Sequence, residues 1–262
     1  MNIKLEELNN LKRINDENNQ GGFIFIKDNQ TLYKIIYNDY FFPEEIIRNI
    51  NFQIKNNIPN TPKIYEKIYI DKTFRGYSME YLQNTITFKN SIKQEITTKN
   101  KINAILDVYK SLKYIHENNL SVGDIHLDNL LISTTGKGHI IDLDYLLFPG
   151  DEFKFSELYL IKLNNKDNKI NISSPYTDNI KLMLSSLSIL LNINIEKYID
   201  EYTHDINLET IYQDIIIRLN NKHLKKYFIQ LMKSENVYYF DDYILKYYSK
   251  EISQKKKLIR KK

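Results

Sequence analysis

The stretch VGDIHLDNLL (residues 122–131) joins a long helical pattern to an apolar strand pattern. It holds Asp124 and Asn129 with four residues between them, one of which is His126. Asp142 comes thirteen residues after Asn129, in the apolar context HIIDLDY. Asp and Asn favour polar turns, so the first pair alone has a plain structural explanation. Asp142 is harder to explain in this way, because a carboxylate in an apolar strand needs a partner.

Composition limits the classes of protein that the chain can belong to. Its 262 residues suit one large domain or two closely packed lobes. The absence of cysteine excludes disulfides, thiolate metal sites and cysteine nucleophiles. The N-terminus MNIKLEELNN lacks the apolar core of a signal peptide, and LMLSSLSILL (182–191) is about half of a membrane span. We expect a soluble, cytoplasmic protein in which residues 182–191 form a buried helix.

Charge is distributed unevenly along the chain. The net charge is +4, but the last eleven residues, ISQKKKLIRKK, carry +6, so the remainder carries about −2 (4 minus 6). This pattern is not that of a nucleic-acid-binding domain. The basic tail, residues 253–262, is expected to be a solvated terminus, and contact with an acidic partner stays open.

The first third of the chain has the pattern of a small antiparallel sheet. Two aromatic and β-branched runs, FIFIK and TLYKIIY, are separated by DNQ, which predicts a hairpin. Residues 43–57 have an apolar stripe at helical spacing and begin with proline and two glutamates, which predicts a helix. KIYEKIYID and FRGYSMEYL predict two further strands.

The rest of the chain changes to a mainly helical pattern. Residues 101–120 have one apolar face at helical spacing, and the segment that begins TDNIKLMLSSLSILL is also helical. LLIS, TTGKG and HIIDLDY predict a second hairpin between them. We therefore expect an α+β bilobal chain, with a β-rich lobe over 1–82, a helical lobe over 83–252 and the basic tail.

This order of elements resembles the protein-kinase-like fold over nearly the whole chain. LYKIIY resembles the strand with the ATP-anchoring lysine, here Lys34, and Glu45 (or Glu44) resembles the helix glutamate that pairs with it. SMEYL resembles the strand that enters the interlobe hinge. The resemblance places Met79 at the gatekeeper position.

The resemblance also implies ATP and Mg²⁺ as cofactors, with a role for each polar residue of the quoted stretch. Asp124 would accept the proton of the attacking hydroxyl, and Asn129 and Asp142 would supply oxygen ligands to Mg²⁺. Asp178 resembles the aspartate that opens the central helix and braces the catalytic loop. The backbone at Glu80 and Leu82, in the hinge, would meet the adenine.

Several features depart from the family. The phosphate-covering loop usually has three spaced glycines, whereas NNQGGFIF has only Gly21 and Gly22. The family's Asp-Phe-Gly is replaced by Asp142-Leu143-Asp144, which argues against a regulated flip of this segment. Asp144 is expected either to add a carboxylate near the metals or to cap the turn.

Gly123 and His126 resemble the small-molecule and atypical branches of the family, such as aminoglycoside- and choline-phosphorylating enzymes. His126 would either contact the transferring phosphate or support the loop. We expect a phosphotransferase that acts on a protein Ser or Thr hydroxyl, because no large insertion after the catalytic loop builds a lid for a small molecule. Two alternatives stay open: a small-molecule kinase acting on a hydroxyl compound, and a pseudokinase that serves as a binding module.

Overall fold

The computed structural model describes residues 1–14, 22–36, 43–151, 162–164, 170–171, 174–198, 205–206, 208–218, 222–233, 239 and 241. Gly21 and the basic tail lie outside these described residues. The fold is α+β, with a five-stranded antiparallel sheet followed by a mainly helical part, and is consistent with the bilobal kinase-like fold that the sequence predicts.

The small lobe is a five-stranded antiparallel sheet with one long helix. Its elements in chain order are α1 (Leu5–Asn9), β1 (Lys12–Arg13), β2 (Phe23–Ile26), β3 (Thr31–Ile35), α2 (Pro43–Asn56), β4 (Ile64–Ile70) and β5 (Thr73–Glu80). The strand order is β1-β2-β3-β5-β4. The predicted hairpin is confirmed as β2 and β3, and the predicted helix as α2. Ile46 and Ile50 of α2 are fully buried against the sheet, because the helix presents its apolar stripe to it.

The large lobe is mainly helical. Its elements are β6 (Thr85–Thr87), α3 (Phe88–Ser91), α4 (Thr98–Glu117), β7 (Leu130–Ser133), β8 (Gly138–Ile140), β9 (Lys162–Asn164), β10 (Ile170–Asn171), α5 (Pro175–Leu191), β11 (Asp205–Ile206), α6 (Leu208–Asp214) and α7 (Lys222–Lys233). Short 3₁₀ turns cover Leu143–Tyr145, Ile195–Tyr198 and Ile216–Arg218. Strands β6, β7 and β8 form an antiparallel sheet, which confirms the second hairpin.

Helix α5 crosses the core of the large lobe. Ser174 caps its first turn by accepting a hydrogen bond from the backbone N–H of Thr177 at 3.2 Å, and Pro175 occupies the first helical position. Almost all of α5 is buried, as expected for residues 182–191. In the described parts of the chain, no helix has the length and apolarity that a bilayer crossing needs.

The end of α2 is tied to α4 by hydrogen bonds. The hydroxyl of Tyr114 donates to the carbonyl of Asn56 at 3.0 Å. The hydroxyl of Ser111 donates to the carbonyl of Pro59, just beyond the helix, at 2.6 Å. These bonds fix the C-terminal end of a small-lobe helix on the large lobe.

Candidate active site

Lys34 lies in the middle of the small-lobe sheet. It pairs in register with Ile24 of β2 and Tyr77 of β5, and the residue is only 4% exposed. Gly76 of β5 has a φ of +156°, and a Cβ at this position would overlap with the carbonyl oxygen of Lys34. Glycine therefore allows β5 to approach β3 closely beside Lys34.

Two carboxylates bind the ammonium group of Lys34. One belongs to Asp142, and the other to Asp144, whose Oδ2 is 2.6 Å from Lys34 Nζ. Burial acts to lower the pKa of Lys34, but the charges of Asp142 and Asp144 outweigh it, so the pKa lies well above its ordinary value. Among the described residues, the ion pairs of Lys34 do not include Glu45, which is half-buried in the first turn of α2.

Asp144 is the buried member of this cluster. The residue is 1% exposed, and its Oδ1 accepts a hydrogen bond from the hydroxyl of Tyr77. Burial raises its pKa, and the charge of Lys34 opposes this shift. We expected Asp144 to add a carboxylate near the metals or to cap the turn; its carboxylate forms a buried ion pair with Lys34, which Asp142 also contacts.

Asp124 and Asn129 contact each other directly in the loop between α4 and β7. The amide nitrogen of Asn129 donates to the carbonyl oxygen of Asp124 at 3.0 Å and to its carboxylate Oδ2 at 3.1 Å. The other carboxylate oxygen, Oδ1, is buried and has no hydrogen-bond donor among the described residues. The Asp124 side chain as a whole is 25% exposed, so the carboxylate has acceptor capacity left for a ligand.

His126 lies beside that oxygen. Its Nε2 is 3.7 Å from Asp124 Oδ1, and its Nδ1 accepts a hydrogen bond from the backbone N–H of Asp128 at 3.3 Å. The neutral ring therefore carries its proton on Nε2, facing Asp124. Burial acts to lower the pKa of His126, but its interaction with the nearby Asp124 carboxylate outweighs burial, so the pKa is raised.

Asn129 and Asp142 lie at adjacent ends of β7 and β8. The backbone N–H of Ile141 donates to the carbonyl of Asn129 at 3.0 Å, which brings the two predicted metal ligands together. Asp142 has a left-handed backbone, with a φ of 63°, and its side chain is 32% exposed. Within the described residues no group of three or more His, Cys, Asp or Glu side chains could hold a metal. One carboxylate and one amide oxygen fit a Mg²⁺ site that phosphate oxygens and water complete.

The backbone that precedes Asp124 is held by Asp178 of α5. The N–H of Val122 donates to Asp178 Oδ2 at 2.7 Å, and the N–H of Gly123 donates to Oδ1 at 2.9 Å. His116 Nε2 lies 3.1 Å from the same Oδ2. The predicted brace is confirmed, and His116 has the structural role that its helix position suggests.

Lys181 is a functional candidate that the sequence analysis missed. It lies one helical turn after Asp178, is fully buried, and donates from Nζ to the carbonyl of Gly123. Burial lowers its pKa. In the sequence, Lys181 is noticeable because it lies within the otherwise apolar and serine-rich run of α5.

The predicted hinge residues Met79 and Glu80 end β5, and Leu82 follows it. Met79 is half-buried, and the N–H of Glu80 donates to the carbonyl of Lys63 at 2.8 Å, so that donor is used within the sheet. The carbonyl of Leu82 accepts from the hydroxyl of Thr85 at 2.8 Å. The N–H of Leu82 makes no backbone hydrogen bond within the described residues, so it is the donor that a planar base could reach.

Only one of the two predicted phosphate-loop glycines is described. Gly22 directly precedes β2 with a φ of +117°, close to the carbonyl of Ile35 in β3. Gly21 lies outside the described residues, so the predicted contact of this loop with phosphate stays a prediction.

Lys34 contacts Asp142, and Asn129 contacts Asp124. The hydrogen bond between Ile141 and Asn129 brings the two pairs together, an arrangement consistent with a kinase-like fold. The chain is similar to a protein of Acanthamoeba polyphaga mimivirus that is named as a putative serine/threonine-protein kinase. The two are 31% identical over 140 residues, which cover 49% of this chain and 50% of the viral protein. The match thus spans about half the length of this curated relative, and no family model matches the chain. Together with the fold, the similarity supports a kinase-like phosphotransferase.

Proposed function

We propose that the protein is an ATP- and Mg²⁺-dependent phosphotransferase that transfers the γ-phosphate to a Ser or Thr hydroxyl of a protein. The observation that carries the proposal is the side-chain geometry at Asp124. Its Oδ2 is held by Asn129, its Oδ1 makes no hydrogen bond within the described residues, and the side chain as a whole is 25% exposed. A carboxylate held in this way can orient an incoming hydroxyl and accept its proton.

Each remaining residue of the site has a defined task in this reaction. Asn129 and Asp142 would hold Mg²⁺, which when bound neutralises charge on the phosphate oxygens. Lys34 would bind the α- and β-phosphates, and the backbone of the hinge at Leu82 would bind the adenine. Asp178 and Lys181 keep the backbone around Gly123 in place, so that Asp124 is held in position.

A small-molecule acceptor is the second candidate. Its support is His126, whose Nε2 faces Asp124 Oδ1 at 3.7 Å and whose raised pKa favours the charged ring. A histidine two residues after the base, with a glycine directly before the base, resembles the small-molecule branches of the family. The name of the mimivirus relative instead favours a protein acceptor, and we retain that as the first choice.

The test incubates the purified protein with labelled ATP and Mg²⁺, alone, with dephosphorylated casein, and with choline or an aminoglycoside. We expect label on protein, reduced by at least about 10²-fold in Asp124→Asn, because a positioned base contributes about 10²–10⁴ to such a rate. Asp142→Asn should lose activity as well. Asp71→Asn, in the exposed turn between β4 and β5, is the matched control and should retain it.

The outcomes separate the proposals. If ATP is turned over only when the hydroxyl compounds are added, the protein is a small-molecule kinase and not a protein kinase. If ATP with Mg²⁺ gives no thermal shift in the unaltered protein, both enzyme proposals fail and a binding module remains.

A further inference from the structure

The two carboxylates that bind Lys34 differ in their surroundings. The side chain of Asp142 is 32% exposed, whereas that of Asp144 is 1% exposed. Asp142 is the carboxylate that can reach a metal in the cleft. If Asp142 binds a metal, Asp144 is the carboxylate that stays paired with Lys34.

Asp144 is fixed from several sides. Its Oδ2 lies 2.6 Å from Lys34 Nζ, and its Oδ1 accepts from the hydroxyl of Tyr77, which pairs with Lys34 across β3 and β5. Its carbonyl oxygen accepts from the side-chain amide of Asn49 at 2.7 Å. A buried carboxylate with one oxygen hydrogen-bonded and the other in an ion pair is a rigid anchor for an ammonium group.

Helix α2 contacts the Asp144 segment through amides. Asn49 also donates to the carbonyl of Leu146 at 3.0 Å, and Gln53 donates to the carbonyl of Leu143 at 3.0 Å. In the described part of the chain the ion-pair partners of Lys34 are Asp142 and Asp144, and Glu45, one turn before Asn49, is not among them. The helix is therefore linked to Lys34 through the 3₁₀ turn at 143–145 and not through its own carboxylate.

We infer that Asp144, and not Glu45, is the positioning residue that directs Lys34 toward the phosphates of the nucleotide. The inference rests on the proposed function. It assigns to the third residue of Asp142-Leu143-Asp144 the task that the family resemblance gave to the glutamate of α2.

The first test measures the pairing without any nucleotide. It is a double-mutant cycle for denaturant unfolding with Lys34→Met, Asp144→Asn and Glu45→Gln. Lys34→Met leaves a buried carboxylate without its cation, so adding Asp144→Asn should restore part of the lost stability. Lys34→Met with Glu45→Gln should show the sum of the two single effects. Additive effects of Lys34→Met and Asp144→Asn would overturn the inference.

The second test measures the positioning role, at a temperature where each variant is fully folded. Asp144→Asn should lower kcat/KM for ATP by at least about tenfold, with most of the change in KM, and Glu45→Gln should change it by less than about threefold. Asp71→Asn is again the control. An effect of Glu45→Gln as large as that of Asp144→Asn would overturn the inference.

The two tests distinguish a failure of the proposed function from a failure of the assignment of Asp144. Absence of ATP turnover in the unaltered protein would overturn the proposed function and the positioning role together. Absence of coupling in the unfolding cycle, with turnover intact, would overturn only the assignment of Asp144.

Discussion

Lys181 donates from the buried face of α5 to the carbonyl of Gly123, the residue directly before Asp124. Asp178, one helical turn earlier, accepts from the N–H of the same Gly123 at 2.9 Å. Both polar groups of this one residue are therefore bound by a single helix. The carbonyl is bound by a cation and the N–H by an anion, which fixes the orientation of the peptide units on either side of Gly123.

Lys181→Met should lower the rate of phosphotransfer more than it weakens ATP binding. The substitution leaves the Gly123 carbonyl without its donor beside Asp124, while Lys34 is untouched. We also expect a loss of about 1–3 kcal/mol in the free energy of unfolding. Steady-state kinetics and urea unfolding measure the two effects. Lys110→Met, on the exposed face of α4, is the matched control. An unchanged kcat in Lys181→Met would contradict the prediction.

Asp178→Asn should loosen the loop before Asp124. An amide offers one acceptor oxygen where the carboxylate offers two, so either Val122 or Gly123 loses its N–H partner. A buried N–H without an acceptor costs about 1–3 kcal/mol. Amide hydrogen exchange should accelerate at Val122 or Gly123 and stay unchanged at the centre of α4. Unaltered protection at both amides would show that Asp178 is not their essential acceptor.

His126→Gln should destabilise the protein more in mild acid than in mild base. The folded pKa of His126 is raised above its ordinary value of 6.5, so the folded state binds the proton more tightly than the unfolded state. The resulting stability is fully present below about pH 6.5 and is lost as the pH rises through the folded pKa. Urea unfolding of both proteins across this range measures the difference. A difference that is independent of pH would mean that the ring gains no proton affinity on folding.

Gly138→Ala should strongly destabilise the large lobe. A Cβ at this position of β8 would overlap with the backbone carbonyl of Ala104 in α4, and backbone cannot move aside as a flexible side chain can. We expect a loss of about 3 kcal/mol or more. Gly150→Ala is the matched comparison, because nothing lies within 4 Å of its added Cβ and only its φ of +89° is unfavourable. That variant should lose about 1 kcal/mol. Equal losses in thermal unfolding would contradict the steric explanation.

The sequence was sufficient for the main helices and the two hairpins. Alternating and helical periodicities predicted the two hairpins and helices α2, α4 and α5, because each element buries one face or stripe. The order of Lys34, Asp124 and Asn129 along these elements predicted that the three residues belong to one site. The contact of Asn129 with Asp124 then follows from their spacing in one short loop.

The partners of the charged residues could not be predicted in the same way. Asp144 binds Lys34 because amides of α2, such as that of Asn49, hold the backbone of its segment. Bonds from side chains to backbone have no periodicity that a sequence displays. The role of Lys181 could not be predicted either, because the sequence alone does not distinguish a buried lysine that donates to a carbonyl from a lysine on the surface.

The hydrogen bonds of helix α2 bind it more firmly to the large lobe than to the sheet. Its middle is bonded to the 143–146 segment through Asn49 and Gln53, and its end to α4 through Asn56. Its contacts with the sheet include the apolar side chains of Ile46 and Ile50, which tolerate small sliding better than directional bonds do. We therefore expect any relative movement of the two lobes to take place between α2 and the five-stranded sheet, with α2 held to the helical body by its amides and carbonyls.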